Sequence, residues 1–463
     1  MSRHVNSREA VVTVEPDQST PSRTPSCPTD PETAFAELVS LHPEAVRCPY
    51  PTFALLREQA PVHWSDALGA FVVSRHDDIV EVLRDPGIFS SRLQSGASSV
   101  TGLAQRLVDD TRTSAPLRAQ ALRRLEINRD PALLNADPPL HIRQRKLVSQ
   151  AFTPRRVAQL EPEVRQVAGE LLGALKSRSS FDFVTSYAMP LPMTIIARML
   201  GVPEERLDDF KRWSDAFTQG VGANDLSEGQ VSDLFESVDE FYDYFTDQIE
   251  RRRVAAQDDL LTDLVTARLP GDRPLTVHEM LQMLVVFLVG GNETTTNLLT
   301  AMTHRLLSDA ELEQRVRQDE SLIPAFAEEM LRLESPVQGL FRTATCDAEV
   351  AGVPIPGGSM VWLAYAAGNR DEALTSAPDE LHLDTERPLR HLAFGRGVHT
   401  CLGAAIARLE ARVGIEMLLR HYPALRLAAD AGLRMHRSFV LHGIASLPVV
   451  VGNLTAAGNT SLG

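Results

Sequence analysis

Helical periodicity constrains this chain more than any other feature. Apolar residues recur at three- and four-residue spacing over residues 155–175, 190–199, 204–217, 231–253 and 258–268, so each segment carries a stripe that only a neighbouring element can cover. The pattern predicts a mainly α protein. Strand signals are few. Val62-His-Trp64 and Ala70-Phe-Val-Val73 flank a five-residue connection, which predicts a hairpin followed by a helix over about 77–83. Val350, Val353 and Ile355 lead through Pro356-Gly-Gly358 to Met360-Val-Trp-Leu363, which predicts a second hairpin. Residues 90–134 keep no steady period and read as a pocket-shaping loop or as short helices. A last helix is predicted over about 402–420.

Composition narrows the class. With 463 residues, 43% hydrophobic and 23% charged, the chain can bury a large core. Its 46 Lys and Arg against 61 Asp and Glu give a net charge of -15, which argues against a general nucleic-acid role because phosphates need a basic field. Cys27, Cys48, Cys346 and Cys401 are too scattered for a disulfide scaffold or a Cys-rich zinc site, and a reducing cytoplasm fits them best. Residues 1–33 are rich in Ser, Thr and Pro and predict a disordered extension without the apolar core of a signal peptide. No repeat or composition break follows, so 34–451 reads as one domain and 452–463 as a flexible tail. The most apolar stretch, 281–289, contains Gln282 and stops at Gly290-Gly291. A bilayer span needs roughly 20 apolar residues, so no membrane anchor is predicted.

Three constellations carry chemistry. Thr276-Val-His-Glu279 has the form of a capping box that opens a helix. That helix then meets Gly290-Gly-Asn-Glu293-Thr294-Thr-Thr296, where each glycine costs about 1 kcal/mol relative to alanine. Glycine lets a flat ligand approach the backbone, and a Thr hydroxyl can bond to a carbonyl one turn back. A kinked core helix accounts for the same residues. In Glu328-Glu329-Met-Leu-Arg332, Glu329 and Arg332 stand three residues apart in a helix that Pro336 ends, a pattern also common among solvated surface charges. Finally, Phe394-Gly-Arg-Gly-Val-His399-Thr-Cys401-Leu-Gly403 surrounds a thiol with glycines that permit tight turns, just before a helix whose dipole favours a thiolate. A lone buried cysteine is ordinarily inert, but core packing does not explain those glycines.

Phe394-Gly-x-Gly-x-His399-x-Cys401-x-Gly403 resembles the haem-binding loop of the cytochrome P-450 monooxygenases. Gly290-Gly291-x-Glu293-Thr294 is similar to that family's oxygen-activating helix, and Glu329-x-x-Arg332 to its ion-pair helix, in the expected order. Ala136-Asp-Pro-Pro-Leu-His141-Ile-Arg-Gln-Arg145 resembles the segment that contacts a haem propionate. The resemblance implies the cytochrome P-450 fold: a helical domain with a smaller β-rich region, and haem b held between a long distal helix and the proximal cysteine loop. It implies Cys401 as iron ligand, Glu293 and Thr294 as the acid–alcohol pair that delivers protons, and Gly290, Gly291, Phe394 and Gly403 as haem neighbours. His141, Arg145, Arg342 and His399 would hold the propionates.

The family completes the ion pair with an arginine shortly before the cysteine loop. Here the spacing is one residue short, so Arg387 is the choice and Arg390 the fallback. By family position, Val286, Val289, Val337, Gln338, Leu340, Phe439 and Val440 would wall the pocket, a largely apolar set that suits a lipophilic substrate. Electrons would come from a separate ferredoxin and its reductase, docked on Arg143, Lys146, Arg396, Arg408 and Arg412. The expected unit is a monomer that uses O2. A peroxide-driven peroxygenase and a non-catalytic haem protein are the alternatives, and the Glu293-Thr294 pair weighs against both.

Overall fold

The computed structural model of the chain describes residues 29–92, 100–129, 131–219, 227–384, 390–429 and 432–452. Helices dominate. The longest, Val277–Ser308, starts at the capping box: Glu279 N donates to Thr276 Oγ1 at 3.1 Å, and Thr276 N donates to Glu279 Oε2 at 2.8 Å. It runs unbroken through both glycines for roughly 48 Å at 1.5 Å per residue. Its two halves serve different cores. Met280 to Leu288 pack with Phe235, Phe241 and Phe245 of helix Glu228–Val254. Leu298 to Leu306 pack with Leu191 and Ile195 and with Val413 and Ile415 of helix Ala404–His421. The polar and glycine-rich residues 290–297 fall between these cores, where the helix need not be apolar all round.

The sheets are small. The largest orders its strands as Val62–Ser65, Ala70–Val73, Met360–Leu363, Leu340–Ala344 and Phe89–Ser90. One join is parallel, between Ala70–Val73 and Met360–Leu363. Arg342 therefore stands in register with Val361 on a buried strand.

Several expectations are corrected. The second hairpin is Ala348–Val350 with Val353–Ile355, turning at Ala351 and Gly352, both at positive φ. Pro356-Gly-Gly358 instead leads Met360–Leu363 away into the large sheet. The helix over 155–175 is two, Pro154–Gln159 and Glu161–Ala174, restarting with a proline in its first turn. Residues 31–33, placed in the disordered extension, open helix Pro31–Val39, which Asp30 caps by accepting from Thr33 N at 2.8 Å. Of the other two readings of 90–134, short helices hold: Val100–Asp109 and Ala115–Ile127.

Candidate active site

The cysteine loop is shaped by glycine where backbone geometry demands it. Gly395 and Gly397 take φ of +63° and +72°, and a Cβ on Gly397 would also collide with the Leu83 carbonyl. Gly403 differs from expectation: its φ is -81°, an ordinary value, and it serves as the N-cap of helix Ala404–His421. Cys401 N donates to Phe394 O at 2.8 Å, closing the loop. The sulfur receives the N–H groups of Gly403 and Ala404. Burial pushes the thiol up, while those N–H groups, Arg145 and Arg408 pull the other way. The residue as a whole is nonetheless exposed, so it does not belong to a packed core.

His141 and His399 stack with ring centroids 4.1 Å apart. Burial, then His141, Arg342 and Arg145, push His399 down to about 3. Burial and Arg145 likewise lower His141, whose Nδ1 is buried without a partner. Four cationic or basic groups thus converge. The carboxylate that offsets them at His141 is Asp137, already held by Ser91 N at 2.8 Å. Burial first and the neighbouring cations second disfavour a proton here, which suits a ligand that brings negative charge. The two carboxylates of a haem would supply that charge, and Cys401 would offer its iron a thiolate, which metal binding deprotonates. The residues present therefore fit the group.

On the long helix, Thr294 Oγ1 donates to Gly290 O at 2.8 Å, the back-bond expected from the sequence. A Cβ on Gly290 would meet open space, whereas Gly291 faces Ile196. Burial raises the Glu293 carboxyl above its usual range, helped by Asp215 and opposed by Lys211, both on helix Leu207–Gln219. Lys211 and Asp215 are themselves paired at 2.6 Å. No motif points to Glu410, buried in helix Ala404–His421: it bonds Thr295, and burial pushes its carboxyl to about 8. Ser91 was also missed; its hydroxyl lies 2.9 Å from His399 Nε2.

Glu329 and Arg332 are buried, at 4% and 0% exposure, so they are not solvated surface charges. Two bonds of 3.0 and 2.8 Å join them. Arg332 also donates to the carbonyls of Asn369, Pro378 and Glu380, and Glu329 accepts from His382 N. The pair thus staples helix Ile323–Glu334 to the chain approaching the cysteine loop. Arg387 lies outside the described residues. Arg390, the fallback, is exposed, and its carbonyl rather than its guanidinium makes the described bonds, to His76 and Arg396.

Val286, Val289, Val337, Leu340 and Val440 are half-buried, as a pocket wall requires. Gln338 is not a wall: it is buried, with Nε2 donating to Phe439 O at 3.2 Å. The Phe439 ring packs on Phe341 and Trp362. The cationic dock is also reduced. Arg143 binds Asp272 and Glu279, Arg408 binds Glu328 while lying over Phe394, and Arg412 binds Glu161 and Glu416. Lys146 stays exposed, and Arg396 donates to Arg390 O. Among the described residues no helix is long and apolar enough to cross a membrane.

The chain matches the family model described as Cytochrome P-450 over residues 103–427. It is 36% identical over 403 residues to cytochrome P-450 107B1 of Saccharopolyspora erythraea, covering 86% of this chain and 93% of that one. It is 34% identical over 414 residues to the vitamin D(3) 25-hydroxylase of Pseudonocardia autotrophica, covering 88% and 95%. Among solved structures, CYP109Q5 from Chondromyces apiculatus matches with a TM-score of 0.76 at 35% identity, covering 90% of this chain and 98% of the other. CYP109E1 from Bacillus megaterium in complex with testosterone matches with a TM-score of 0.73 at 30% identity, covering 88% and 99%. With the fold and these matches together, the chain belongs to the cytochrome P-450 family.

Proposed function

We propose that this monooxygenase inserts one oxygen atom of O2 into a lipophilic small molecule, by hydroxylation or epoxidation, using two electrons from a separate ferredoxin and its reductase. The observation that carries the reading is one cluster: a thiol receiving two backbone N–H groups lies near Arg145, which with Arg342 and His141 crowds His399. Haem b, when bound, supplies the iron that takes up and activates dioxygen, with Cys401 thiolate donating electron density to it. His141, Arg145, Arg342 and His399 would hold its propionates.

The chain's own residues manage protons and orientation. Burial leaves Glu293 more readily protonated at neutral pH than a surface glutamate. Consecutive helical residues point about 100° apart, so Glu293 and Thr294 exchange a proton through an intervening water. Thr294 Oγ1 donates to the Gly290 carbonyl, which leaves its own lone pairs free to accept beside that glycine. It can receive a proton there and hand it on. Val286, Val289, Val337, Leu340 and Val440 exclude water and orient an apolar substrate. The names of the relatives, a hydroxylase of vitamin D(3) and a protein solved with testosterone, favour a steroid-sized molecule. A reducing cytoplasm accords with the free thiols Cys48, Cys346 and Cys401.

Turnover under isotopically labelled dioxygen with a surrogate ferredoxin system tests the reading. One labelled oxygen per product is expected, and product without label contradicts it. Thr294→Ala should consume reductant at a similar rate while releasing more peroxide; unchanged coupling removes Thr294 from proton delivery.

A further inference from the structure

Residues 436–443 connect the strands Arg434–Met435 and Ile444–Ser446 and carry Phe439 and Val440. One side of this turn is fixed by backbone. Gln338 N donates to Val440 O at 2.7 Å, His442 N donates to Pro336 O at 3.0 Å, and Leu441 bridges Val337. These bonds set pairing but leave the whole turn free to tilt with the segment it pairs with.

Side chains remove that freedom from two further directions. His442 Nε2 lies 3.6 Å from Oε2 of Glu334, the last residue of helix Ile323–Glu334. The Tyr50 hydroxyl donates to the same oxygen at 2.7 Å and lies 3.3 Å from His442 Nε2. The Arg370 guanidinium stands 3.6 Å over the Tyr50 ring, and His304 and His436 face Glu334 and His442 respectively. Burial opposes charge on Glu334, but its bonds from His442 and Tyr50 hold it well below the usual carboxylate range. The Glu334 carboxylate, itself half-buried, is thus held between a buried imidazole and the Tyr50 hydroxyl, and removal of either leaves it short of a partner. On the opposite side Gly443 approaches Asn297 so closely that no Cβ fits. Asn297 belongs to the long helix one turn beyond Thr294, and both its amide atoms are buried without partners.

We propose that the Tyr50–Glu334–His442 tie fixes where Val440 and Phe439 stand relative to the long helix, which makes His442 a positioning residue for substrate choice. It acts through the turn and does not touch the substrate. The inference rests on the reading of this turn as part of the pocket wall. A shift of the wall by one carbon's width changes the relative fit of wide and narrow ligands, whereas a loss of general stability weakens all of them together.

The test compares holoenzyme of wild type, His442→Gln, His442→Arg and Gly443→Ala. Binding of a steroid, a monoterpene and a straight-chain fatty acid is read from spin-state titrations. Glutamine lacks the ring that meets both Glu334 and Tyr50, and a Cβ at 443 pushes the turn from the other side. Both variants should change the ratio of steroid to fatty-acid Kd by roughly ten-fold, the scale on which an apolar pocket distinguishes small changes of shape. Arginine, a longer cation, should meet the Glu334 carboxylate and bring the ratio back toward wild type. Equal weakening of all three ligands, an unchanged ratio, or failure of arginine to restore it overturns the tie. If His442→Gln does not fold, Tyr50→Phe, which removes the hydroxyl bond to Glu334, decides by the same ratio. A wild-type holoenzyme without a thiolate-type reduced carbon monoxide spectrum contradicts the functional reading instead, so the two failures are distinguishable.

Discussion

The two faces of the site are built in opposite ways. Below, Cys401 is surrounded by satisfied groups: its own N–H reaches Phe394, the N–H groups of Gly403 and Ala404 reach its sulfur, and Arg408 is fixed by two bonds to Glu328. Above, the long helix leaves open space at Gly290, an unpartnered Asn297 and a lone raised carboxyl at Glu293. Polar groups left incomplete in a folded protein cost stability, so they persist where a ligand or a reaction uses them. The lower face is a rigid mount and the upper face a reserved space.

Removal of the staple beneath the mount should have the largest effect. Arg332→Ala strands the buried Glu329 carboxylate and should lower stability by about 3–5 kcal/mol, with poor haem incorporation. Urea denaturation checks this, and near-wild-type stability would mean that the mount does not depend on the pair.

Glu410 joins the two faces through Thr295, and its folded carboxyl titrates at about 8 against a reference of 4.5. The folded state therefore holds that proton more tightly than the unfolded state. The favourable term is full below pH about 4.5 and fades as pH rises through about 8. At pH 7 the folded carboxyl is still protonated, and holding that proton against an unfolded value of 4.5 costs about 3 kcal/mol at about 1.4 kcal/mol per pH unit. Glu410→Gln keeps a bond to Thr295 and should recover most of that, flattening stability between pH 5 and pH 8. Parallel pH profiles for the two proteins would show that the carboxyl is not buried as described.

Glu279 behaves in the opposite sense at the start of the long helix. Burial works against its charge, but Arg273, Thr276 N and Gln144 hold its carboxyl at about 2. The lowered folded value gives stability that is present above pH about 4.5 and lost as pH falls toward 2. After allowance for partial solvent screening, Glu279→Gln should cost about 1–2 kcal/mol at pH 7 and almost nothing at pH 2. An acid-unfolding midpoint unchanged by the substitution would contradict this.

The lower face was more legible in sequence than the upper. Gly395 and Gly397 announce positive φ because few other residues adopt it, and their spacing fixes the turn that closes on Cys401. The capping box and the Thr294 back-bond are also local, so spacing alone exposes them. Contacts that join distant segments left no local trace. Ser91 meets His399 across 308 residues, and Tyr50 meets Glu334 across 284. The misplaced hairpin has the same cause, because Met360–Leu363 pairs with strands far away in sequence. Gln338 was misjudged since only the folded backbone at Phe439 shows what its amide binds.

Cys401 is proposed as the thiolate ligand of haem iron, and the reduced carbon monoxide spectrum reads that ligation directly. Folded, haem-loaded wild type should show a strongly red-shifted Soret band that Cys401→Ser abolishes. A band without that shift in the wild type, or one that survives in the serine variant, would contradict the assignment.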